Sequence, residues 1–152
     1  MFIGREQIGR IAIIGILAFG FGACATGDGT NRAPAIETSA RFDADIARYT
    51  QLHAENPDDL LTLIHLSRSL RDAGRGDEAI ALLERAERSF GSDTYYLTEL
   101  GNAYLVTGDA ISARRELEAA IARDQNNWRA YAALGIAHDL ERNYPQARGA
   151  YL

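Results

Sequence analysis

The sequence predicts an all-α protein, a solenoid of stacked helix pairs, and three observations carry that expectation. Similar residues recur every 34 positions from Leu60, Thr94 and Trp128: Leu66, Leu100 and Leu134, then Ser67, Gly101 and Gly135, then Ala79, Ala113 and Ala147, then Leu83, Leu117 and Tyr151. The recurring residues are small where two helices must approach and large where the gap must be filled, and this period is that of a two-helix repeat. Start and stop signals fall between the apolar stretches. Gly74 and Gly108 suit the left-handed position that closes a helix, and Asp77, Asp109 and Asn126 or Asn127 are candidate caps for the helices that follow.

Taken from the N-terminus, Arg5 and Arg10 flank a short polar start, Ile11 to Phe19 is almost continuously apolar, and Phe21-Gly22-Ala23-Cys24 ends the run. From Ile11 to Ala23 there are 13 residues, well short of the roughly 20 that a spanning helix needs, so residues 1–23 read as an export signal. Cys24, the only cysteine, follows two small residues and resembles the bacterial lipobox, with Phe21 where Leu is usual. That resemblance implies that Cys24 is acylated and becomes the first residue of the mature protein. Ala23-Cys24-Ala25 also fits the small-x-small site of ordinary signal peptidase, which would release a soluble periplasmic protein, and an uncleaved anchor is the third reading. Residues 24–38 are small and polar, with Gly27, Gly29 and Pro34, the composition of a flexible tether.

Residues 39–57 carry Phe42, Ile46, Tyr49 and Leu52 at helical spacing and read as an amphipathic capping helix, with a linker as the alternative. Asp45, where a small residue would be expected, suggests a face turned to water. Asn56-Pro57 then breaks the helix, since the residue before proline avoids the helical region, and Asp58 or Asp59 opens the next. Three repeats follow at 60–93, 94–127 and 128–152, the last short of a full period. Its end is expected to leave Leu134, Ala147, Tyr151 and Leu152 with little cover. Because repeat proteins normally close with a polar capping helix, the sequence is expected to be a piece of a longer protein or to pair through that end.

Leu63, Leu66-Ser67, Leu70, Ala79, Leu83 and Ala86 in the first repeat, and Leu97, Leu100-Gly101, Tyr104, Ala113, Leu117 and Ala120 in the second, resemble the tetratricopeptide repeat over residues 60–152. The resemblance implies a right-handed superhelix whose first helices line a concave groove for a peptide. By phase, the groove residues would be Leu61, Ile64, Arg68 and Arg71, then Tyr95, Thr98, Asn102 and Leu105, then Arg129, Ala132, Ile136 and Asp139. The chaperone-binding subclass clamps a terminal carboxylate with Lys, Asn and Arg. This chain has no lysine and places Glu99 where an Asn is wanted, so Arg68, Asn102 and Arg129 read first as a solvated rim, with the holding of an acidic side chain as the alternative.

Trp128 to Leu152, with Tyr131, Leu134-Gly135, Asp139, Gln146-Ala147 and Tyr151-Leu152, is similar to the TadD lipoproteins of tight-adherence (Flp) pilus systems, although Arg142-Asn143 stands where a turn glycine is usual. Lipobox, tether and a short repeat array match that family's layout. The resemblance implies an outer-membrane lipoprotein facing the periplasm that helps a secretin or another pilus or secretion component to localise and assemble. A general periplasmic scaffold for envelope enzymes is the alternative.

Composition narrows the function further. The chain has 16 basic and 21 acidic residues; Met1–Ala23 holds two Arg and one Glu, so the mature chain would keep 14 and 20, a net charge of −6. A nucleic-acid partner is not expected without a concentrated basic face. The absence of lysine removes P-loop, Schiff-base and lysine general-base chemistry. His53, His65 and His138 lie on three different predicted helices with no metal-ligand spacing, His138 reads as a packed histidine, and no nucleophile-elbow motif occurs. Neither cofactor, metal nor small-molecule substrate is expected, and the sequence reads as a non-enzyme that binds protein.

Overall fold

The computed structural model describes residues 33–152, with side chains from Ala40 onward. The export signal expected at residues 1–23, the acylation site at Cys24 and most of the tether lie outside the described residues. Among those described there are seven helices: α1 (Ala33–Glu55), α2 (Leu60–Asp72), α3 (Gly76–Phe90), α4 (Thr94–Thr107), α5 (Ala110–Arg123), α6 (Trp128–Leu140) and α7 (Tyr144–Ala150). They pair as α2/α3, α4/α5 and α6/α7, each pair one period after the last.

Side-chain caps set the starts of the first helices. Asp59, Asp93 and Asn127, each 34 residues apart, accept hydrogen bonds from the backbone N–H groups of Leu61, of Tyr95 and Tyr96, and of Ala130. Each satisfies a donor that the helix start leaves open. The hydrogen bond from Thr62, with those from the backbone, holds the Asp59 carboxyl below its usual range. Asp109 caps α5 through the Ser112 N–H. Asp77 does not cap α3: that helix starts at Gly76, its N-cap is Arg75 without a side-chain cap, and Asp77 lies in the first turn. Phase explains the difference, since Arg75 stands one period before Asp109.

The first helices end alike. Gly74 and Gly108 sit at φ +75° and +83°, with the N–H of Arg75 bonded to Leu70 O and that of Asp109 to Tyr104 O. This paired arrangement satisfies the last carbonyls. In the third repeat Arg142 takes the same role at φ 57°, and the N–H of Asn143 bonds to His138 O.

Upstream, α1 begins at Ala33, inside the segment expected to be tether, with Pro34 in its first turn, where a missing N–H breaks no intrahelical bond. Its inward residues are Phe42, Ile46, Tyr49 and His53; Leu52 is 37% exposed and points away from the core, and Asp45 is half-buried rather than turned fully to water. Leu52 is separated from Tyr49 by three positions and from Ile46 by six, while His53 completes the i, i+3, i+7 row from Ile46 through Tyr49.

The ladder residues pack as the size alternation requires. Ala79, Ala113, Leu83 and Leu117 are fully buried, and Leu66, Leu100 and Leu134 nearly so. Each fully buried leucine stabilises the stack by roughly 1.5–3 kcal/mol relative to exposure. Tyr96 is also fully buried and donates its hydroxyl to Leu83 O at 2.9 Å, so its one polar atom is paired. At the far end Leu134 and Ala147 are buried, contrary to expectation, and the Tyr151 ring lies over Gly135; Tyr151 and Leu152 themselves remain exposed.

The backbone of α2 closely approaches that of α4, and α4 that of α6, whereas among the described residues no such close backbone approach joins α1, α3, α5 and α7 to one another. Neighbouring first helices are therefore closer than neighbouring second helices, and the stack curves with α2, α4 and α6 on its inner side.

Candidate docking groove on the inner helices

The inner side is built from the residues that the phase assigns to it, but they do not all face outward. Leu61, Tyr95 and Arg129 hold the second position of α2, α4 and α6, and all three are exposed, Leu61 at 67% and Tyr95 at 61%. Ile136 and Asp139 are exposed, and Asn102, Leu105 and Ala132 are half-buried. Ile64 and Thr98 are buried instead. Thr98 turns its hydroxyl back to Thr94 O and accepts a hydrogen bond from Asn127 Nδ2 at 2.9 Å, so it ties α4 to α6 rather than meeting a ligand. Asp139 accepts a hydrogen bond from the Tyr151 hydroxyl at 3.0 Å.

Glu99 organises the centre of this face. It is 1% exposed, and three donors meet its carboxylate: Ser67 Oγ at 3.1 Å, Arg68 Nε at 3.1 Å and Arg71 Nε at 2.8 Å. A buried carboxylate requires such pairing, since its desolvation costs several kcal/mol when uncompensated. Sequence phase places Glu99 at the clamp's asparagine position; in the fold it points inward and joins α2 to α4. Arg71 is drawn in with it, its side chain 18% exposed, while that of Arg68 stays 44% exposed. Sequence reasoning missed this cluster. The signal available was a basic pair one turn apart on α2 with an acid one period on, at the position matching His65.

Arg129 differs from both. Its guanidinium lies over the Trp128 ring at 4.9 Å, and no carboxylate within ion-pair distance is found for it among the described residues. Between Leu61, Ile64, Arg68, Tyr95 and Arg129 the surface dips into a pocket of about 150 Å³.

The histidines stay apart from one another. His65 is exposed and stacks on Tyr49 with centroids 5.1 Å apart; His53 is half-buried on α1. His138 is buried, with Nδ1 lying 3.6 Å from Glu141, whose carboxylate also pairs with Arg114 at 3.2 Å. Burial, and then a hydrogen bond to Glu84, pushes the Tyr104 hydroxyl up to about 12. No group of three or more metal-ligating side chains gathers among the described residues, and none of the described helices is long and apolar enough to cross a membrane.

Comparison with known proteins agrees with this architecture. Residues 64–111 and 98–152 match the family model described as tetratricopeptide repeat. Among solved structures, the chain is similar to MamA at 26% identity and a TM-score of 0.63, over 76% of this chain and 67% of that one. A second MamA structure aligns at 26% identity and a TM-score of 0.62, over 76% and 63%. The chain thus spans about two thirds of the length of these solved relatives. No curated protein matches its sequence.

Proposed function

Because the chain belongs to the tetratricopeptide repeat family, a protein–protein interaction module, we propose that it docks a partner protein on its inner face while an acyl anchor on Cys24 holds it at the outer membrane. The observation that carries the docking half is the exposed row of Leu61, Tyr95 and Arg129, three large side chains repeated in phase on the inner helices. Exposed apolar side chains gathered on one concave face fit a binding role better than single ones scattered over a surface. The lipobox-like Gly22-Ala23-Cys24 supports the anchor. A diacylglyceryl group plus an N-acyl chain supplies the second membrane signal that stable attachment needs. Anchoring raises the effective concentration of the groove near membrane-inserted partners without any additional contact.

The similarity of residues 128–152 to the TadD pilus lipoproteins supports a narrower reading, an accessory that helps a secretin localise and assemble. The protein works in this reading without catalysis, by binding alone. The test is secretin assembly in cells carrying Cys24→Ser. Loss of the protein from the outer-membrane fraction together with loss of secretin multimers is expected. Normal multimers despite loss of the anchored protein would refute the secretin role, and capture of an envelope enzyme at Tyr95 would replace it with a general scaffold.

A further inference from the structure

The docking groove carries its own statement of what it binds. The pocket between α2, α4 and α6 holds about 150 Å³, a volume that in an engineered apolar cavity admits one benzene ring. Leu61, Ile64 and Tyr95 supply its apolar wall, so it fits one large apolar side chain. Two guanidinium groups border it. The Arg129 guanidinium carbon lies 4.9 Å from the centroid of the Trp128 ring, and a guanidinium held against a ring face makes no hydrogen bond to it, so its N–H donors stay available to a ligand. Arg68 bonds Glu99 through Nε, and its side chain remains 44% exposed.

Charge decides the remaining chemistry. Arg68 and Arg71 are paired with Glu99, and the capping acids Asp59 and Asp93 are bonded to the backbone N–H groups of Leu61 and Tyr95. Arg129 is the cation at the pocket that has no carboxylate within ion-pair distance among the described residues. A basic side chain beside it would be repelled, and a neutral one would leave the Arg129 donors to water. Resting on the docking reading above, we propose that the groove selects an acidic–apolar segment of its partner: a leucine or phenylalanine enters the pocket, and an aspartate or glutamate beside it pairs with Arg129 and the outer edge of Arg68.

The test uses the full chain in detergent and a random dodecapeptide library displayed on phage. Enriched peptides should carry Leu or Phe with Asp or Glu within two positions. A synthetic copy of the leading peptide, followed by fluorescence polarisation, should bind about tenfold more weakly to Arg129→Glu protein, and as weakly to wild type once its acids are changed to amides, since charge-assisted bonds are lost. Arg129 and the Trp128 ring it lies against are both exposed, so this substitution leaves the buried core alone. Enriched peptides without acids, or smaller losses in either comparison, would overturn the acidic preference. The groove itself would still stand if Tyr95→Ala abolished their binding. If no peptide is enriched, or if Leu61→Asp and Tyr95→Ala both leave binding unchanged, the docking reading fails and this proposal with it.

Discussion

At the scale of single residues, Glu99 is the position on which the inner face turns. Its carboxylate is buried while its partners reach water to different degrees, 44% for Arg68 and 18% for Arg71. The two sides of the cluster should therefore respond unequally. Arg71→Ala leaves a buried charge with one exposed arginine and Ser67, and should cost roughly 3–5 kcal/mol, the usual result of breaking a buried pair. Glu99→Gln keeps the shape and frees two arginines that can swing into solvent, and should cost about 1–2 kcal/mol. Urea denaturation midpoints check the order; a larger loss for Glu99→Gln would show that the arginines, not the acid, are the trapped charges. Little of this was legible beforehand. Arg68 and Arg71 lie 31 and 28 residues from Glu99, and nothing local distinguishes a paired inward acid from a solvated one on the rim.

At the scale of helices and turns, the repeat makes controlled comparisons available within one chain. A Cβ on Gly101 would sit 2.6 Å from Leu117 Cγ, in a fully buried side chain, while one on Gly135 would run into the Tyr151 ring, in a residue 52% exposed. Only the second neighbour is free to swing out. Overpacking costs about 1–3 kcal/mol, against the roughly 1 kcal/mol that alanine gains over glycine inside a helix. Swinging Tyr151 out gives up its hydrogen bond to Asp139, so thermal melts should show Gly101→Ala clearly destabilised and Gly135→Ala destabilised less. Equal losses at the two sites would contradict the packing described. The turns supply a second comparison. Arg142 holds the left-handed conformation that Gly74 and Gly108 hold elsewhere, at a cost of about 1–2 kcal/mol for a residue with a Cβ. Arg142→Gly should raise stability by about 1 kcal/mol and Gly108→Ala should lower it by a similar amount. A lower melting temperature for Arg142→Gly would mean that the arginine side chain does more for the turn than its backbone costs. These elements were readable because caps and turn glycines declare themselves chemically. Asp77 misled for the same reason, an acid near a helix start, where the 34-residue phase marked Arg75 instead. The inward row of α1 was misjudged because His53 was not counted as a core residue.

At the scale of the whole molecule, the repeat period alone was enough for the fold, since stacked helix pairs leave few other ways to bury the small and large ladders together. Which faces of the inner helices stay open was less legible. Phase put Ile64 and Thr98 in the groove: Ile64, though buried, lines the pocket there, whereas Thr98 is taken up by its hydrogen bond from Asn127. A single sequence lists positions along each helix, and the closeness of neighbouring helices decides which of those positions meet water. The account's central claim is that partners dock on the inner face. Photocrosslinking in cells tests it most directly, with a benzophenone amino acid placed singly at Leu61, Tyr95 and Ile136 on the inner helices and at Ile111 on α5, which is 68% exposed on the outer row. The claim predicts crosslinked partner protein from the inner positions and none from Ile111; crosslinks dominated by Ile111 would contradict it.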